Sequence, residues 1–567
     1  MKIKISIAQL NPTVGAISEN LDKALECIKE AKRNSVDILV FPEMYMTGYP
    51  PNDLLLRKEF VDAVSDACFK SIYRAKDILN ETKDICVIMG SVGDFGGHLR
   101  NCAYVFQNKK LMGVAIKSLL PEYDVFFERR YFKSSEADDI APVCVKIRGH
   151  KIALGVEICE DLWYTPEEYN INVTELLCKR GADIIINVSA SPFYANKLPV
   201  RIDLVKDYVK QFKIPFVYAN LIGGQDDLVF DGGSFIMDAK GSMALAAPQF
   251  EESILSTVLE TGKWCRTDKN QAHKKLCKEE QIFQAQVLNV RDYVDKSKFF
   301  KGIIIGSSGG IDSAYALCVA EKAVGADKVL SVAMPSKFTS NDSLVLAEQL
   351  AINLGIEHVV VPINKIHDAA WEVYEEIFGT TEFGIAEEND QARCRMMILM
   401  KLSHKRNLLV CSTGNKSELS VGYYTLYGDS AGGKNIPGDL YKTEIYDISK
   451  YINRSKEVIP WGIINRPPTA ELKSNQKDTD SLPSYDVLDK ILYYLESDDM
   501  RNLFDMAKPH GVERIGFDVV DKVLRLYKNS EFKRDQLCKG IKVSEKAFGI
   551  GRRIPITSGW EYKCPRR

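Results

Sequence analysis

The sequence predicts an α/β protein with two domains joined by a charged connection. Short apolar runs alternate with amphipathic helical patterns in both halves of the chain, and this alternation is typical of layered α/β folds. The length of 567 residues exceeds what one hydrophobic core usually organises. Residues 261–281 carry many charges and lack strand periodicity. We therefore expect domains at 1–260 and 282–567, with a linker at 261–281.

The N-terminal half is predicted to contain a mixed sheet. Two apolar runs, at 102–107 and 111–116, are separated by only a few polar residues, so they should pair as an antiparallel hairpin. The other runs are spaced widely enough for helical crossovers between parallel strands. Those buried strands are predicted at 5–8, 37–41, 85–89, 151–156, 183–188 and 215–219.

The C-terminal half alternates helix and strand at regular spacing. Strands separated by helices of this length form parallel βαβ units, so we expect a doubly wound parallel sheet. The predicted elements are a helix near 281–296, a strand at 302–306, a helix from Asp312, a strand at 328–334, a helix at 341–354 and a strand at 358–362.

Composition argues against several classes of partner. The formal net charge is −2, so the chain as a whole has no electrostatic attraction for nucleic acid or an anionic membrane. No stretch approaches 18 uninterrupted apolar residues, and the first residues alternate as a strand does. The 14 cysteines are dispersed, which favours reduced core thiols over disulfides. We expect a cytoplasmic protein with neither nucleic acid nor membrane as partner.

Three reactive side chains stand where apolar strands end, namely Glu43, Lys117 and Cys159. Ligands of open α/β sheets bind at such strand ends. A thiol attacks only as thiolate, so Glu43 would take the proton, and Lys117 would favour the anion and then stabilise a tetrahedral oxyanion. The backbone N–H after Cys159 is a possible second donor. The alternative is that Cys159 is a buried core thiol and that the other two are solvated strand ends.

The segments around these residues resemble the nitrilase, or carbon–nitrogen hydrolase, family. They are FPEM with YMTGY at 41–49, KSLLPEYDVFFERRYF at 117–132 and GVEICEDLW at 155–163. The resemblance covers about residues 1–260 and implies an αββα sandwich with Cys159 as nucleophile, Lys117 in support and Glu43 as base. Glu128 matches a second glutamate that orients the lysine and the substrate amide. A surface salt bridge is its alternative role.

Glutamine-using members similar to this chain bind glutamine through a tyrosine and a serine-to-lysine segment. The matching positions are Tyr123, Ser191 and Lys197. The resemblance implies that Lys197 meets the glutamine carboxylate. The segment SASPFYANK departs from the common pattern, because Asn196 stands where glycine is usual.

A glycine-rich loop, GSSGGIDS at 306–313, follows the predicted strand 302–306. Glycines leave backbone N–H groups accessible to a phosphate at a helix N-terminus, and the serines add hydroxyl donors. The loop lacks both the lysine of the ordinary P-loop and the GxGxxG of dinucleotide folds. The alternative is a tight turn that only opens a helix.

The loop resembles that of ATP pyrophosphatases, which cleave ATP to AMP and pyrophosphate while adenylating a carbonyl oxygen. The resemblance implies that Asp312 holds Mg²⁺ on the pyrophosphate, with Glu418 as a second ligand. Glu418 and Thr413 lie in CSTGNKSELSVGYYTLYGD at 411–429, where a capped helix start is the alternative for Glu418. The implied ATP-binding residues are Gly306, Ser307, Ser308, Gly309, Gly310, Ile311, Asp312, Ser313 and Thr413.

Three further segments resemble NAD synthetases. They are NRPPTAEL at 465–472, QKDTDSLPSYDVLD at 476–489 and EFKR at 531–534. The resemblance runs through most of 282–567 and implies that the nicotinate carboxylate of deamido-NAD⁺ is adenylated and then attacked by ammonia. The implied deamido-NAD⁺-binding residues are Asn389, Glu418 and Lys533. Ordinary solvated charge is the alternative for Lys533.

Together, the two resemblances identify the chain as similar to the glutamine-dependent NAD⁺ synthetase family. They imply an ATP-dependent carbon–nitrogen ligase that uses glutamine, deamido-NAD⁺, ATP and Mg²⁺, an enclosed ammonia passage, and a homo-oligomer. Two alternatives remain open. The carboxylate acceptor could be another molecule, or the first half could be a scaffold beside a synthetase that uses free ammonia.

Overall fold

The computed structural model describes residues 1–69, 77–266, 275–379, 382–473, 476–497 and 515–562. The chain divides into two units, Met1–Leu276 and Cys277–Arg567. This division falls inside the stretch 261–281, part of which, 267–274, lies outside the described residues. Within this stretch, Cys265–Arg266 forms a short strand that pairs with Leu259 and Glu260. Two paired residues are too few to show a periodicity in sequence.

Fifteen strands are described in the N-terminal unit. They are β1 (Lys2–Gln9), β2 (Ile38–Val40), β3 (Cys86–Phe95), β4 (His98–Gln107), β5 (Lys110–Ile116), β6 (Val143–Ile147), β7 (His150–Ile158), β8 (Ile184–Ser189), β9 (Phe216–Asn220), β10 (Ile222–Gln225), β11 (Leu228–Asp231), β12 (Phe235–Met237), β13 (Met243–Ala246), β14 (Ser253–Glu260) and β15 (Cys265–Arg266).

Two large sheets organise these strands. One has the order β15-β14-β1-β2-β3-β4-β5 and the other the order β13-β12-β9-β8-β7-β6, with β10 and β11 as a separate pair. In the first sheet β1, β2 and β3 are parallel, whereas β3, β4 and β5 are antiparallel. The predicted mixed sheet follows from the tight β3–β4 and β4–β5 connections, which are too short for a crossover.

Helices cover the outer faces of the two sheets. The described helices of this unit are α1 (Ile17–Arg33), α2 (Lys58–Cys68), α3 (Ile78–Glu81), α4 (Val173–Lys179) and α5 (Lys197–Phe212). In α1 the buried residues recur three or four positions apart, so one apolar stripe faces the first sheet.

A central core lies between the two sheets. It joins Ile5 and Val40 of the first sheet to Leu154 and Ile186 of the second. Separate cores join the first sheet to α1 and α2, and the second sheet to α4 and α5. The layers are therefore helix, sheet, sheet, helix, and the predicted αββα sandwich is confirmed.

The C-terminal unit contains one parallel sheet. Its strands are β16 (Gly302–Gly306), β17 (Val329–Ala333), β18 (Glu357–Val360), β19 (Leu408–Ser412) and β20 (Lys434–Asn435). Its described helices are α6 (Lys278–Ser297), α7 (Ile311–Val324), α8 (Asn341–Leu354), α9 (Asn364–Phe378), α10 (Ile385–Arg406), α11 (Lys416–Val421), α12 (Lys442–Ile452), α13 (Trp461–Ile464), α14 (Tyr485–Glu496), α15 (Phe517–Asn529) and α16 (Glu531–Arg534).

The strand order places a crevice beside β16. The order is β18-β17-β16-β19-β20, and all four pairings are parallel. The chain runs outward from β16 to β18 and then returns to the other side of β16, so the direction of winding reverses between β16 and β19. Ligands of doubly wound sheets bind outside the carboxyl ends of strands at such a reversal. The predicted doubly wound sheet is confirmed.

No helix within the described ranges is long and apolar enough to span a bilayer.

Candidate active sites

Three strand ends of the N-terminal unit carry the predicted reactive side chains. Glu43 follows β2, Lys117 follows β5, and Cys159 follows β7, so residues from both sheets contribute. All three are buried, which removes the possibility that Glu43 and Lys117 are solvated strand ends.

Lys117 bridges two carboxylates. Its Nζ donates hydrogen bonds to Glu43 Oε1 and to Glu128 Oε1, each at 2.8 Å. Burial disfavours the charged lysine, but the neighbouring Glu128 and Glu43 outweigh burial and hold the pKa of Lys117 well above its usual range. Lys117 is therefore an ammonium ion at neutral pH.

Glu43 is held on both of its oxygens. Besides Lys117, Oε1 accepts a hydrogen bond from Asn101 Nδ2 at 2.7 Å, and Oε2 accepts one from the backbone N–H of Ala190 at 2.7 Å. An ionised carboxylate is acceptor-only, so three converging N–H donors suit the carboxylate form. This is the form that can take up a proton.

Glu128 is a buried member of the same network. It accepts a hydrogen bond from the Tyr49 hydroxyl at 3.0 Å, and its Oε2 has no hydrogen-bond partner among the described residues. Burial raises the pKa of Glu128 to about 7, although Lys117 opposes the shift. The alternative of a surface salt bridge does not describe this buried group.

Cys159 occupies a strained position. It begins the short 3-10 helix Cys159–Leu162 with φ at 45°, in the left-handed region that non-glycine residues seldom adopt. Burial, followed by the charge of Glu43, holds the pKa of its thiol well above the usual range, and Lys117 offsets only part of this. The resting group is therefore a neutral thiol that needs a base before it can attack.

The predicted glutamine-binding residues lie in two segments of this unit. The Tyr123 hydroxyl donates a hydrogen bond at 3.0 Å to Glu160, the residue that directly follows Cys159 in the sequence. Ser191 is buried, and its Oγ accepts a hydrogen bond from Arg201 at 3.2 Å. Lys197 begins α5 and donates to the Pro192 carbonyl at 2.8 Å.

Asn196 takes the left-handed conformation before α5, with φ at 68°. Asparagine tolerates this region better than most residues, which is why it can replace a glycine there.

Sequence reasoning missed Glu160 as a residue of this site. It is buried beside Cys159 and accepts hydrogen bonds from Tyr123 and, at 2.9 Å, from the Tyr169 hydroxyl. Burial raises the pKa of its carboxyl. Its place directly after the predicted nucleophile was the available signal.

In the C-terminal unit, the glycine-rich loop connects β16 to α7. Gly309 has φ at 75°, and a Cβ atom there would lie 2.4 Å from the Ser343 carbonyl oxygen. The Ser313 Oγ donates to the Gly310 carbonyl at 2.9 Å and so fixes the loop against the first turn. The first N–H groups of a helix lack intrahelical partners, so the loop offers donors to an anion.

Asp312 and Glu418 converge on one ammonium group. Lys442 Nζ lies 2.6 Å from Asp312 Oδ2 and 2.9 Å from Glu418 Oε1. Burial raises the pKa of Asp312 to about 6, although Lys442 opposes the shift. Burial opposes the charge on Lys442, but Asp312 and Glu418 hold its pKa well above the usual range. Sequence reasoning missed Lys442, which is 130 residues from Asp312.

Two convergent carboxylates fit the protein's share of a magnesium site. Mg²⁺ is commonly held by one or two carboxylates together with substrate phosphates and water. The described residues contain no group of three or more His, Cys, Asp or Glu side chains suited to a metal ion. Asp312 and Glu418 therefore fit an ion that arrives with a phosphate substrate, rather than one held by the protein alone.

One cavity of about 640 Å³ gathers every residue predicted for ATP or deamido-NAD⁺. The loop 306–313, Asn389, Thr413, Glu418 and Lys533 all line it. Lys533 is half-buried and donates to the carbonyl oxygens of Gly422 at 2.9 Å and Tyr424 at 2.8 Å, so it is not an ordinary solvated lysine. Asn389 Oδ1 accepts a hydrogen bond from Thr425 at 2.6 Å.

Comparison with known proteins assigns a family to each half. Residues 4–265 match the family model for carbon–nitrogen hydrolase, and residues 282–537 match that for NAD synthase.

Relatives match the whole length. The glutamine-dependent NAD⁺ synthetases of Acinetobacter baylyi and Thermotoga maritima are 40% and 37% identical, over 98% of this chain and 98% and 99% of theirs. The structure of the Acinetobacter baumannii enzyme with ADP is 36% identical, has a TM-score of 0.76 and matches over 99% of both chains. The Cytophaga hutchinsonii synthetase, at 22% identity and a TM-score of 0.81, has the same fold over 99% of this chain and 98% of its own. The chain therefore belongs to the family of glutamine-dependent NAD⁺ synthetases.

Proposed function

We propose that this chain makes NAD⁺ by transferring the amide nitrogen of glutamine to deamido-NAD⁺ at the expense of ATP. The products are NAD⁺, glutamate, AMP and pyrophosphate. The observation that carries the proposal is that one chain holds both a buried Glu43–Lys117–Glu128 network beside Cys159 and a phosphate-loop cavity. Its relatives of the same length are named for this combined activity.

Glutamine cleavage begins with proton transfer from Cys159 to Glu43. Because the buried thiol is neutral at rest, the thiolate forms only as Glu43 takes the proton. The sulfur then attacks the side-chain carbonyl carbon of glutamine. Lys117 and the backbone N–H of Glu160 stabilise the negative oxygen, while Glu128 orients Lys117 and the amide nitrogen.

The intermediate collapses by breaking its carbon–nitrogen bond. Glu43 returns the proton to the departing nitrogen, so ammonia leaves and a γ-glutamyl thioester remains on Cys159. Glu43 then takes a proton from water, whose oxygen attacks the thioester carbonyl carbon. The carbon–sulfur bond breaks, glutamate leaves, and Glu43 returns the proton to the Cys159 sulfur. We assign Tyr123, Ser191 and Lys197 to glutamine binding, with Lys197 as the cation for the substrate carboxylate.

ATP is assigned to the loop 306–313 and Thr413, where the α7 N-terminus faces the phosphates. Asp312 and Glu418 would hold Mg²⁺, which neutralises phosphate charge when bound. Lys442, bonded to both carboxylates, supplies a further cation in the same cavity.

Deamido-NAD⁺ is assigned to Asn389, Glu418 and Lys533 in the same cavity. Its nicotinate carboxylate attacks the α-phosphorus of ATP, and pyrophosphate leaves. Ammonia then attacks the carbonyl carbon of the adenylate, loses a proton, and expels AMP. An enclosed route for ammonia would keep it unprotonated, because free ammonia at neutral pH is mostly the non-nucleophilic ammonium ion.

We further propose a glutaminase domain at 1–260, a linker at 261–281 and a synthetase domain at 282–567, in a cytoplasmic homo-oligomer. The 13 cysteines within the described residues are free thiols, which suits a reducing compartment. Light scattering of the purified protein would give the number of subunits, and a monomeric mass would contradict the oligomer.

The test is NAD⁺ formation from deamido-NAD⁺, ATP and Mg²⁺ with glutamine or ammonium as nitrogen source. Cys159→Ala should lose the glutamine-driven reaction and keep the ammonium-driven one, since only the thioester step needs the thiol. Cys144→Ala, which removes an exposed thiol of the same unit, should keep both.

Two results would favour the alternatives. Glutamine-driven synthesis that survives in Cys159→Ala would make the first unit a scaffold. A folded wild-type chain that forms no NAD⁺ from either nitrogen source would point to another carboxylate as acceptor.

A further inference from the structure

Asp161 collects three backbone hydrogen bonds inside the N-terminal unit. Its Oδ1 accepts from the N–H groups of Ser118 at 2.9 Å and Leu119 at 2.8 Å, and its Oδ2 accepts from the N–H of Ile158 at 3.0 Å. The side chain is almost fully buried. A buried carboxylate with both oxygens committed to backbone donors holds those backbone segments in place.

The donors flank the two groups that act on the substrate. Ser118 and Leu119 directly follow Lys117, and Ile158 directly precedes Cys159. One side chain therefore ties the backbone of the lysine segment to the backbone of the nucleophile segment. The lysine segment comes from the first sheet, whereas Cys159 comes from the second.

The bond to Ile158 also spans the strained residue. Asp161 reaches back over Cys159, whose φ is 45°, and closes the turn that begins the 3-10 helix. A residue in this region persists only where its surroundings hold it there. Without an acceptor at this position the three N–H groups would lack a hydrogen-bond partner in a buried place.

We propose that Asp161 is a positioning residue for amide cleavage, which sets the Cys159 sulfur against Lys117 and the substrate carbonyl through the backbone on both sides. The inference rests on the proposed function, because it concerns the geometry of the same reaction. Asp161 acts on the reacting atoms only through its neighbours.

Asp161→Asn is the sharpest variant. An asparagine has the same shape, but its NH₂ group cannot accept a hydrogen bond, so either the Ser118–Leu119 side or the Ile158 side loses its acceptor. Small displacements of reacting groups cost about 100-fold in rate. We expect kcat for glutamine hydrolysis to fall about 100-fold, with KM within about threefold and ammonium-driven NAD⁺ formation unchanged.

Asp183→Asn is the matched control. Asp183 Oδ2 also accepts a backbone N–H, that of Ala153 at 2.8 Å, and the N–H of Asp183 donates to the Ala153 carbonyl. It therefore ties β7 to the start of β8 with the same chemistry. Ala153 lies in β7, six residues before Cys159, which is roughly 20 Å along an extended chain. This variant should keep kcat for glutamine within about threefold of the wild-type value.

The readouts separate positioning from general stability. A fall in ammonium-driven synthesis parallel to the fall in glutamine hydrolysis, or an equal loss in Asp183→Asn, would overturn the proposal. So would an Asp161→Asn chain that cleaves glutamine at the wild-type rate. If Asp161→Asn does not fold, Asp161→Glu retains the charge and shifts the carboxylate by one methylene, and it carries the same expectations.

Two further results, one for the variants and one for the wild-type chain, distinguish failure of this proposal from failure of the proposed function. If both Asp161 variants lack ammonium-driven synthesis, Asp161 serves the fold alone and the proposal fails. A wild-type chain that releases no glutamate from glutamine overturns the proposed function, and this inference with it. A wild-type chain that releases glutamate and forms NAD⁺ leaves the proposed function standing, whatever the variants show.

Discussion

Cys159 combines a left-handed backbone with a deeply buried thiol. Both features are unfavourable for a resting side chain, since the backbone is strained and the thiolate is disfavoured. The surrounding contacts hold the residue in place, and the raised pKa keeps the resting sulfur neutral. A neutral thiol is also less open to oxidation than a thiolate.

Glu157 is a further buried carboxyl near the cysteine, and it has no cationic partner among its described contacts. Its oxygens accept hydrogen bonds from Asn187 Nδ2 at 3.0 Å and from the Thr174 hydroxyl at 2.8 Å. Burial raises the pKa of Glu157 from 4.5 to about 8, against these hydrogen bonds. Between these pH values the folded chain binds the proton and the unfolded chain does not, so the free energy of unfolding falls as pH rises.

Glu157→Gln should remove this pH dependence. In the variant the glutamine oxygen accepts from Asn187 as before, while the glutamine NH₂ donates to the Thr174 hydroxyl oxygen, which now acts as acceptor. The glutamine side chain does not ionise. Relative to wild type, we expect the variant to gain about 2 kcal/mol or more of unfolding free energy between pH 5 and pH 8.5. Urea unfolding at several pH values measures this gain. A stability difference that is the same at every pH would show that Glu157 does not titrate in this range.

The loop between β16 and α7, which lines the cavity, is closely packed at Gly309. Gly309 combines a positive φ with an approach to the Ser343 carbonyl that leaves no room for a side chain. At Gly309 the loop therefore lies against the backbone of α8 with no side chain of its own between them. This close packing holds the N–H groups toward the cavity instead of leaving them on a free loop.

Gly309→Ala should reduce ATP-dependent NAD⁺ formation with both nitrogen sources. The added Cβ would meet the Ser343 oxygen at 2.4 Å, so the loop must shift away from the position that we propose for phosphate binding. We expect a loss of about tenfold or more in kcat/KM for ATP, equivalent to about 1.4 kcal/mol. Glutamine hydrolysis should remain, since its residues lie in the other unit.

Gly355→Ala provides the control for Gly309. Gly355 has a similar φ of 68°, but a Cβ there meets nothing within 4 Å. The variant therefore carries the backbone strain without the clash. An equal loss of ATP use in the two variants would attribute the effect to strain, and the packing explanation would be wrong.

For the chain as a whole, the residues proposed for the two reactions form separate sets. The residues that we propose for glutamine cleavage fall within Met1–Leu276, whereas the cavity residues fall within Cys277–Arg567. Each reaction can therefore be disabled while the other is measured in the same protein. In each variant, the activity that remains then shows that the protein is folded.

Asp312→Asn should abolish NAD⁺ formation with glutamine and with ammonium, while glutamine hydrolysis continues. The variant removes one of the two carboxylates that meet at Lys442 and that we propose as Mg²⁺ ligands, so Mg²⁺–ATP binding should weaken. We expect at least a 100-fold loss of NAD⁺ formation. Parallel assays of NAD⁺ and glutamate would measure both reactions.

Asp327→Asn, at an exposed carboxylate of the same unit, is the control for Asp312 and should leave both activities intact. Ammonium-driven synthesis that survives in Asp312→Asn would exclude Asp312 from the ATP reaction.

Much of this architecture could be predicted because short sequence patterns, such as apolar runs and glycine-rich turns, indicate it. The strands at 151–156 and 302–306 appear as His150–Ile158 and Gly302–Gly306, since continuous apolar runs are needed where both faces of a strand are buried. The candidate residues Glu43, Cys159 and Asp312 were found because strand ends and glycine-rich turns place them at known edges of a sheet.

The sequence by itself determined the fold class, the two-part organisation and the residue types available for chemistry, because apolar periodicity and short motifs act over a few neighbouring positions. Only the tertiary structure decided which side chains meet. Lys442 contacts Asp312 across 130 positions, and Asp161 holds Ser118 across 43. Such partners come together only when sheets pair and pack. Burial likewise exists only in the folded chain, so the raised pKa of Cys159 depends on the structure.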